Sequence, residues 1–192
     1  MALASGAMVK IVGIDPGLAA TGVGVVRGRG LRTAGYSFGC ITTSASVALP
    51  ERLSHIYSRL HRLLSSEAPD LVVIEDVFSL QDYPKSGIGL GQVSGVIMLA
   101  ASQCGLSCVQ VPVREAKQVL TGNGNASKSQ LERAVRLRLN HPVAIRPSHA
   151  ADALGLAIIG LLRWVGHPAH PARQPSTTAA RRRRPPRKGP GS

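Results

Sequence analysis

Hydrophobic residues fall along this chain in two rhythms, and the switches between them outline the fold. Residues 9–14 (VKIVGI) form a short, near-continuous apolar run around Gly13, the pattern of a strand buried on both faces. The run stops on Asp15, Pro16-Gly17 predicts a turn, and a second strand is expected from about Gly22 to Val26. After a turn at 28–30, residues 33–43 read as a third strand through Tyr36, Phe38 and Ile41, completing an antiparallel meander. From Pro50 the period lengthens: Leu53, Ile56, Tyr57, Leu60, Leu63 and Leu64 follow the spacing of a helix with one buried face. LVVIE (71–75) is then a second fully apolar strand that ends on an acid.

Residues 76–89 read as a polar linker containing Gly and Pro, followed by a helix over 90–102 with small residues on one face. CVQVPV (108–113) predicts a fifth strand, 113–120 a short helix, and TGNGNAS (121–127) a loop. Ser127 is a candidate cap for a helix running to about Leu139, and Ser148 for a last helix over 149–164. Three strands, a helix, and then alternating strands and helices imply an α/β fold, a five-stranded mixed sheet flanked by helices. Three segments follow: a flexible extension at 1–7, a folded domain at 8–165 and a disordered Arg/Pro-rich basic tail at 166–192.

Charge adds a partner class. The chain carries 23 basic and 10 acidic residues; seven of the basic ones lie after Gly166, where no acid occurs. A basic body with a basic tail points toward a polyanion such as nucleic acid, against the alternative of simple solvated charge. No run of 18 apolar residues predicts a membrane span, and MALASGA does not read as a secretory signal, so a cytoplasmic protein is expected. Cys40, Cys104 and Cys108 are at no zinc-binding spacing and read as buried free thiols in a reducing compartment.

Candidate chemistry gathers at strand ends. Asp15 and Glu75 each close a buried strand, and if those strands are parallel neighbours their ends lie roughly 5 Å apart. Two such carboxylates repel each other unless a cation sits between them, and hard divalent ions such as Mg²⁺ prefer oxygen ligands. SHAADAL (148–154) puts His149 and Asp152 on one face of the last helix. Each residue alone has an ordinary explanation: a turn-starting Asp, a surface His, a helix-start acid. Together they favour a metal or phosphodiester site.

The runs GIDPG, VVIEDVF, LGQVSG, AKQVLTGNGNASKSQL and HAADALGLAI, in that order between Met8 and Leu162, resemble RuvC-type Holliday junction resolvases of the RNase H-like superfamily. The resemblance implies a homodimer, two divalent ions per active site (Mg²⁺, with Mn²⁺ as a substitute), and paired symmetric nicks across a four-way DNA junction in recombination and repair. It also implies a branch-migration helicase partner. Asp15, Glu75 and Asp152 match the family's acids, and His149 falls where some members carry Asp and others His. Asp15 is then expected to bridge both ions, with Glu75, His149 and Asp152 completing the set. Lys117 and Lys128 match lysines near the scissile phosphates, and Phe78 an aromatic that stacks on an unpaired base; Tyr83 is a second candidate on the same stretch. Solvated lysines and a core Phe are the plainer alternatives. The glycine-rich loop 121–127 is expected to bring backbone N–H groups to phosphate. Gly91, Ser94, Gly95 and Ala101 are the expected dimer surface, or else a close packing face within the fold.

Three other functions suit parts of this pattern. They are an inactive junction or RNA binding module, a nuclease acting on RNA or hybrid duplexes, and a sugar-kinase-like phosphotransferase, which needs a second domain for which 192 residues leave no room.

Overall fold

The structure, a computed structural model, describes residues 7–76 and 84–164. Five strands, β1 (Val9–Asp15), β2 (Ala20–Arg29), β3 (Arg32–Thr42), β4 (Leu71–Glu75) and β5 (Cys108–Val111), form one sheet in the order β3-β2-β1-β4-β5. β1, β2 and β3 pair antiparallel, whereas β4 runs parallel to both β1 and β5, giving the expected mixed sheet. Five helices flank it: α1 (Leu49–Glu67), α2 (Pro84–Gln103), α3 (Val113–Thr121), α4 (Lys128–Arg138) and α5 (Ser148–Trp164). No described helix is long and apolar enough to cross a membrane.

Boundaries moved where local patterning is weak. β2 runs from Ala20 to Arg29, well beyond the apolar stretch 22–26, because the antiparallel ladder continues to a tight turn at Gly30 (φ 59°). The stretch 84–89, read as linker, opens α2 instead; Pro is tolerated in a first turn, and Gly there costs only ~1 kcal/mol against Ala. Ser127 does cap α4, in a full capping box with Gln130.

The sheet separates two cores. On one face α1 and α2 cover Val12, Ile14, Val23, Val25, Val72 and Ile74. On the other, α5 lies across β1 and β2 with α3 and α4 beside it. Eleven residues of α5 are buried, from Ala150 to Leu161. At ~1.5–3 kcal/mol for each large aliphatic side chain, that burial is what anchors the helix.

Glycines bring α5 unusually close. A Cβ on Gly13 would stand 2.0 Å from the Ala153 carbonyl oxygen, and one on Gly22 would stand 2.0 Å from the carbonyl oxygen of His149. On Gly24 it would meet the Leu154 nitrogen at 2.6 Å. Gly13 pairs with Gly24 across the β1–β2 ladder, so these positions form one side-chain-free strip. Only along such a strip can a helix backbone rest directly on a sheet.

Candidate active site

Asp15 ends β1, one residue past the parallel pair Ile14–Ile74, and Glu75 ends β4 beside it. The sequence expectation that two strand-end acids meet is therefore met by register. Thr21 Oγ1 donates to the Gly17 carbonyl at 2.8 Å, which fixes the turn after Asp15. Asp15 is 6% exposed, one of three buried polar residues among those described, with Thr21 and Ser94.

The glycine strip delivers the remaining groups. With α5 seated on Gly22, His149 reaches Asp15: its Nδ1 lies 2.6 Å from Asp15 Oδ2. When Asp15 is ionised, Nδ1–H is the donor in that pair, and Nε2 is then the ring nitrogen available for other work. Asp152, one turn along α5, acts electrostatically on both Asp15 and Glu75.

Burial raises all three acids, and negative charge adds to the shift of Asp15 and Glu75. Burial, and then the Asp152 charge, push the Asp15 carboxyl up to about 7, against a lowering hydrogen bond from Glu75 and the Lys128 charge. Burial, the Asp15 charge and the shared hydrogen bond push Glu75 up to about 8. Asp152 is raised by burial and held down by Lys128, His149 and Lys117. Lys128 thus lies within electrostatic reach of every acid of the cluster, and Lys117 of Asp152.

A buried carboxyl pair retaining a proton near neutrality suits a site that exchanges that proton for a cation. Three carboxylates and an imidazole are also the oxygen-rich donor set that hard divalent ions favour. Among the described residues no three such groups already stand in ion-ligating positions. Asp15 is engaged by His149 on one oxygen and shares a hydrogen bond with Glu75.

One expectation fails. Backbone N–H groups of the loop after α3 are not free for phosphate. Those of Gly122, Asn123 and Gly124 donate to Gln118 O, Thr121 Oγ1 and Gln118 Oε1. Those of Asn125, Ala126 and Ser127 donate to Asn123 Oδ1, Asn123 O and Gln130 Oε1. Asn, Thr and Gln side chains close to their own backbone have satisfied every donor internally, as such residues do in turns. Gln118 holds the loop from both ends of its amide, since its Nε2 also donates to the Gly122 carbonyl at 3.0 Å. The loop is a rigid spacer between Lys117 and Lys128 rather than an anion cradle.

Phe78 and Tyr83 lie outside the described residues. Ser94 and Ala101 are buried inside the fold, whereas Gly91 and Gly95 face open space. Exposed Ile88, Met98 and Leu99 lie on the same helix as those two glycines. The cysteines are free but half-buried rather than buried. Sequence reasoning missed Cys40, whose thiol is pushed up by burial and by the Asp15 charge. The meander register held the signal, because Asp15 pairs with Gly22 and Gly22 with Cys40.

Known proteins resemble this chain over most of its length. Residues 11–160 match the family model described as crossover junction endodeoxyribonuclease RuvC. The protein of that name from Rhodopirellula baltica is 39% identical over 150 residues, covering 78% of this chain and 84% of the relative. That from Ruminiclostridium cellulolyticum is 36% identical over 148 residues, covering 77% and 89%. Among solved structures, T. thermophilus RuvC in complex with a Holliday junction substrate superposes with a TM-score of 0.77 at 30% identity, covering 82% of this chain and 96% of that one. The yeast mitochondrial Holliday junction resolvase Ydc2 shares the fold at a TM-score of 0.52 and 12% identity, over 81% of this chain and 78% of that one.

Proposed function

The chain belongs to the crossover junction endodeoxyribonuclease RuvC family, and on that premise we propose that it resolves four-way DNA junctions by paired symmetric nicks during recombination and repair. The observation that carries the reading is the convergence of Asp15, Glu75, His149 and Asp152 at one end of the sheet, with Lys117 and Lys128 beside them.

We assign the three carboxylates and His149 Nε2 to holding divalent metal, two Mg²⁺ per site with Mn²⁺ as a substitute. Metal bound there supplies Lewis-acid polarisation of the phosphodiester and a hydroxide nucleophile near neutral pH. The chain's own residues prepare for this. Asp15, fixed by register and by its bond to His149, concentrates negative charge where the sheet ends. Glu75, which burial and the Asp15 charge keep inclined to hold a proton, would have to be ionised to hold the cation. Lys117 and Lys128 attract the phosphate backbone toward acids that would otherwise repel it. The Asp15 carboxylate also sets the imidazole's tautomer and orientation, as a carboxylate behind a ligating histidine does.

Phe78, with Tyr83 as a second candidate, is assigned to stacking on an unpaired base at the junction centre, a contact worth ~1–3 kcal/mol. The outward strip of α2, with Gly91, Gly95, Met98 and Leu99, is the surface on which a second copy would pack, forming the homodimer that paired nicking requires. A cytoplasmic setting and a branch-migration helicase partner complete the reading.

The test is a nicking assay on a synthetic four-way junction with Mg²⁺, with linear duplex and RNA–DNA hybrid alongside. Symmetric cuts on the junction alone, reduced at least ~10²-fold by Asp15→Asn, are expected; removing a principal electrostatic stabiliser typically costs ~10²–10³-fold. Cutting of the hybrid instead would overturn the substrate, and binding without cutting in either metal would overturn catalysis.

A further inference from the structure

The face of the sheet opposite α5 carries a groove that the nuclease reading does not use. It has a volume of about 380 Å³ and runs between α1 and the outer part of the sheet, floored by Val23, Val25, Ile41 and Leu63. It exists because β3 has almost no side chains there: Ser37 pairs with Val25 and Gly39 with Val23, and a Cβ on Gly39 would meet nothing within 4 Å. Arg59 and Arg62 of α1 stand on its rim. Both are exposed, and neither has a carboxylate partner among the described residues. The one acid on the groove, Glu67, is held by Lys10 at 3.0 Å.

The groove adjoins an unguarded strand edge. β3 is the outermost strand on that side of the sheet and is 11 residues long. Proteins usually blunt such an edge with shortness, Pro or inward charge. Between Thr33 and Thr42, β3 has no Pro and no charged residue. Its other face is covered, since Tyr36 and Phe38 pack against His141 and the Tyr36 hydroxyl hydrogen-bonds His141 Nδ1 at 2.7 Å. Among the described residues, an edge row of backbone donors and acceptors, an apolar trough for alternate side chains and two cations without a carboxylate partner therefore lie together.

We propose that this groove binds an extended acidic segment of a partner protein, which adds as a strand to β3 and leans alternate apolar side chains into the trough left open over Ser37 and Gly39. Strand addition draws affinity from main-chain bonds and specificity from pockets for every second residue. Arg59 and Arg62, on the same face as the groove, select carboxylates at the groove-facing positions that flank the apolar ones. Other occupants fit less well. A duplex backbone would leave the apolar floor wet. The chain's own tail carries seven basic residues and no acid after Gly166, so like charge opposes it. Pairing of β3 with β3 of another copy supplies no acid for the two arginines.

The test uses the full chain and fluorescent ten-residue peptides with Thr at every second position and, at the groove-facing positions between, Val and Glu (Val-Glu), Val and Lys (Val-Lys), or Val and Glu interrupted by a central Pro. The Val-Glu peptide should bind saturably, at least roughly tenfold tighter than either control, as complementary charge and an intact strand demand. Its binding should slow hydrogen exchange of β3 amides. The double variant Arg59→Glu/Arg62→Glu should reverse the preference toward Val-Lys. Gly39→Leu, which fills the trough without changing charge, should abolish binding while junction nicking is unaffected. Absence of saturable binding, or equal binding by the double variant, overturns the proposal. So does displacement of the peptide by four-way junction DNA with a matching loss of junction affinity in the double variant, which would make the groove a nucleic-acid surface. A shift in sedimentation of the double variant without peptide would make it a contact between copies, and equally overturns it.

Discussion

Gly22 and Gly39 belong to neighbouring strands of one hairpin, yet they do opposite things. Gly22 points at α5, where a Cβ would collide with the His149 backbone; Gly39 points at the other face, where a Cβ would meet empty space. On the α5 face the missing side chains let a helix backbone sit directly on the sheet, and the helix brings His149 and Asp152 to the strand-end acids. On the α1 face a missing side chain leaves a groove. Glycine alone therefore says nothing about role. What lies opposite decides whether it is a seat or a gap.

Substitution on the seat should have the larger effect. Gly22→Val forces α5 away from the sheet; overpacking of this kind costs ~1–3 kcal/mol, and a displacement near 1 Å in a catalytic constellation costs ~10²-fold in rate. Thermal denaturation and nicking rates check both, and an unchanged rate in a folded variant would break the link between the glycine strip and the site.

A pH titration sharpens the picture of what holds the α5 face together. Asp15 and Glu75 bind protons more tightly folded than unfolded, with carboxyls at about 7 and about 8, so stability without metal is greatest in mild acid. It should fall as pH rises from about 4 through 8, where the unfolded chain has given up protons that the folded pair still holds. A divalent cation needs those protons gone, so added Mg²⁺ should stabilise more at pH 8.5 than at 6. Glu75→Gln should flatten the metal-free slope, and calorimetry across that range reads both effects.

Smaller still is the expected cost of unlocking the loop beside this face. Gln118→Ala removes both amide bonds to the loop, which are exposed, so global stability should change by less than ~1 kcal/mol. Junction cleavage should nevertheless slow by roughly 2- to 10-fold as Lys117 and Lys128 lose their fixed separation, a modest positional effect. Single-turnover kinetics at saturating enzyme separate it from binding. Gly39→Ala stands at the bottom of the scale. With nothing within 4 Å, it should alter stability by no more than ~0.5 kcal/mol and leave nicking untouched.

Much of this arrangement was legible before the fold was known. A buried strand that ends on an acid is conspicuous, because burial and charge conflict, and this pointed to Asp15 and Glu75. The same logic failed for the loop after α3. Glycines there suggested open N–H groups, but Thr121, Asn123 and Gln118 took those donors, and composition does not reveal which acceptor a backbone group finds.

The sequence by itself determined the elements, their order and the acids at their ends, since hydrophobic period and charge are local properties of the chain. It also held the strip of Gly13, Gly22 and Gly24 without disclosing its purpose. Only the tertiary structure decided that α5 rests on that strip, that His149 engages Asp15, that Lys128 faces all three acids and that β3 keeps an open edge. Those outcomes depend on register and on which surfaces meet across more than a hundred residues of chain, and no local pattern encodes that distance.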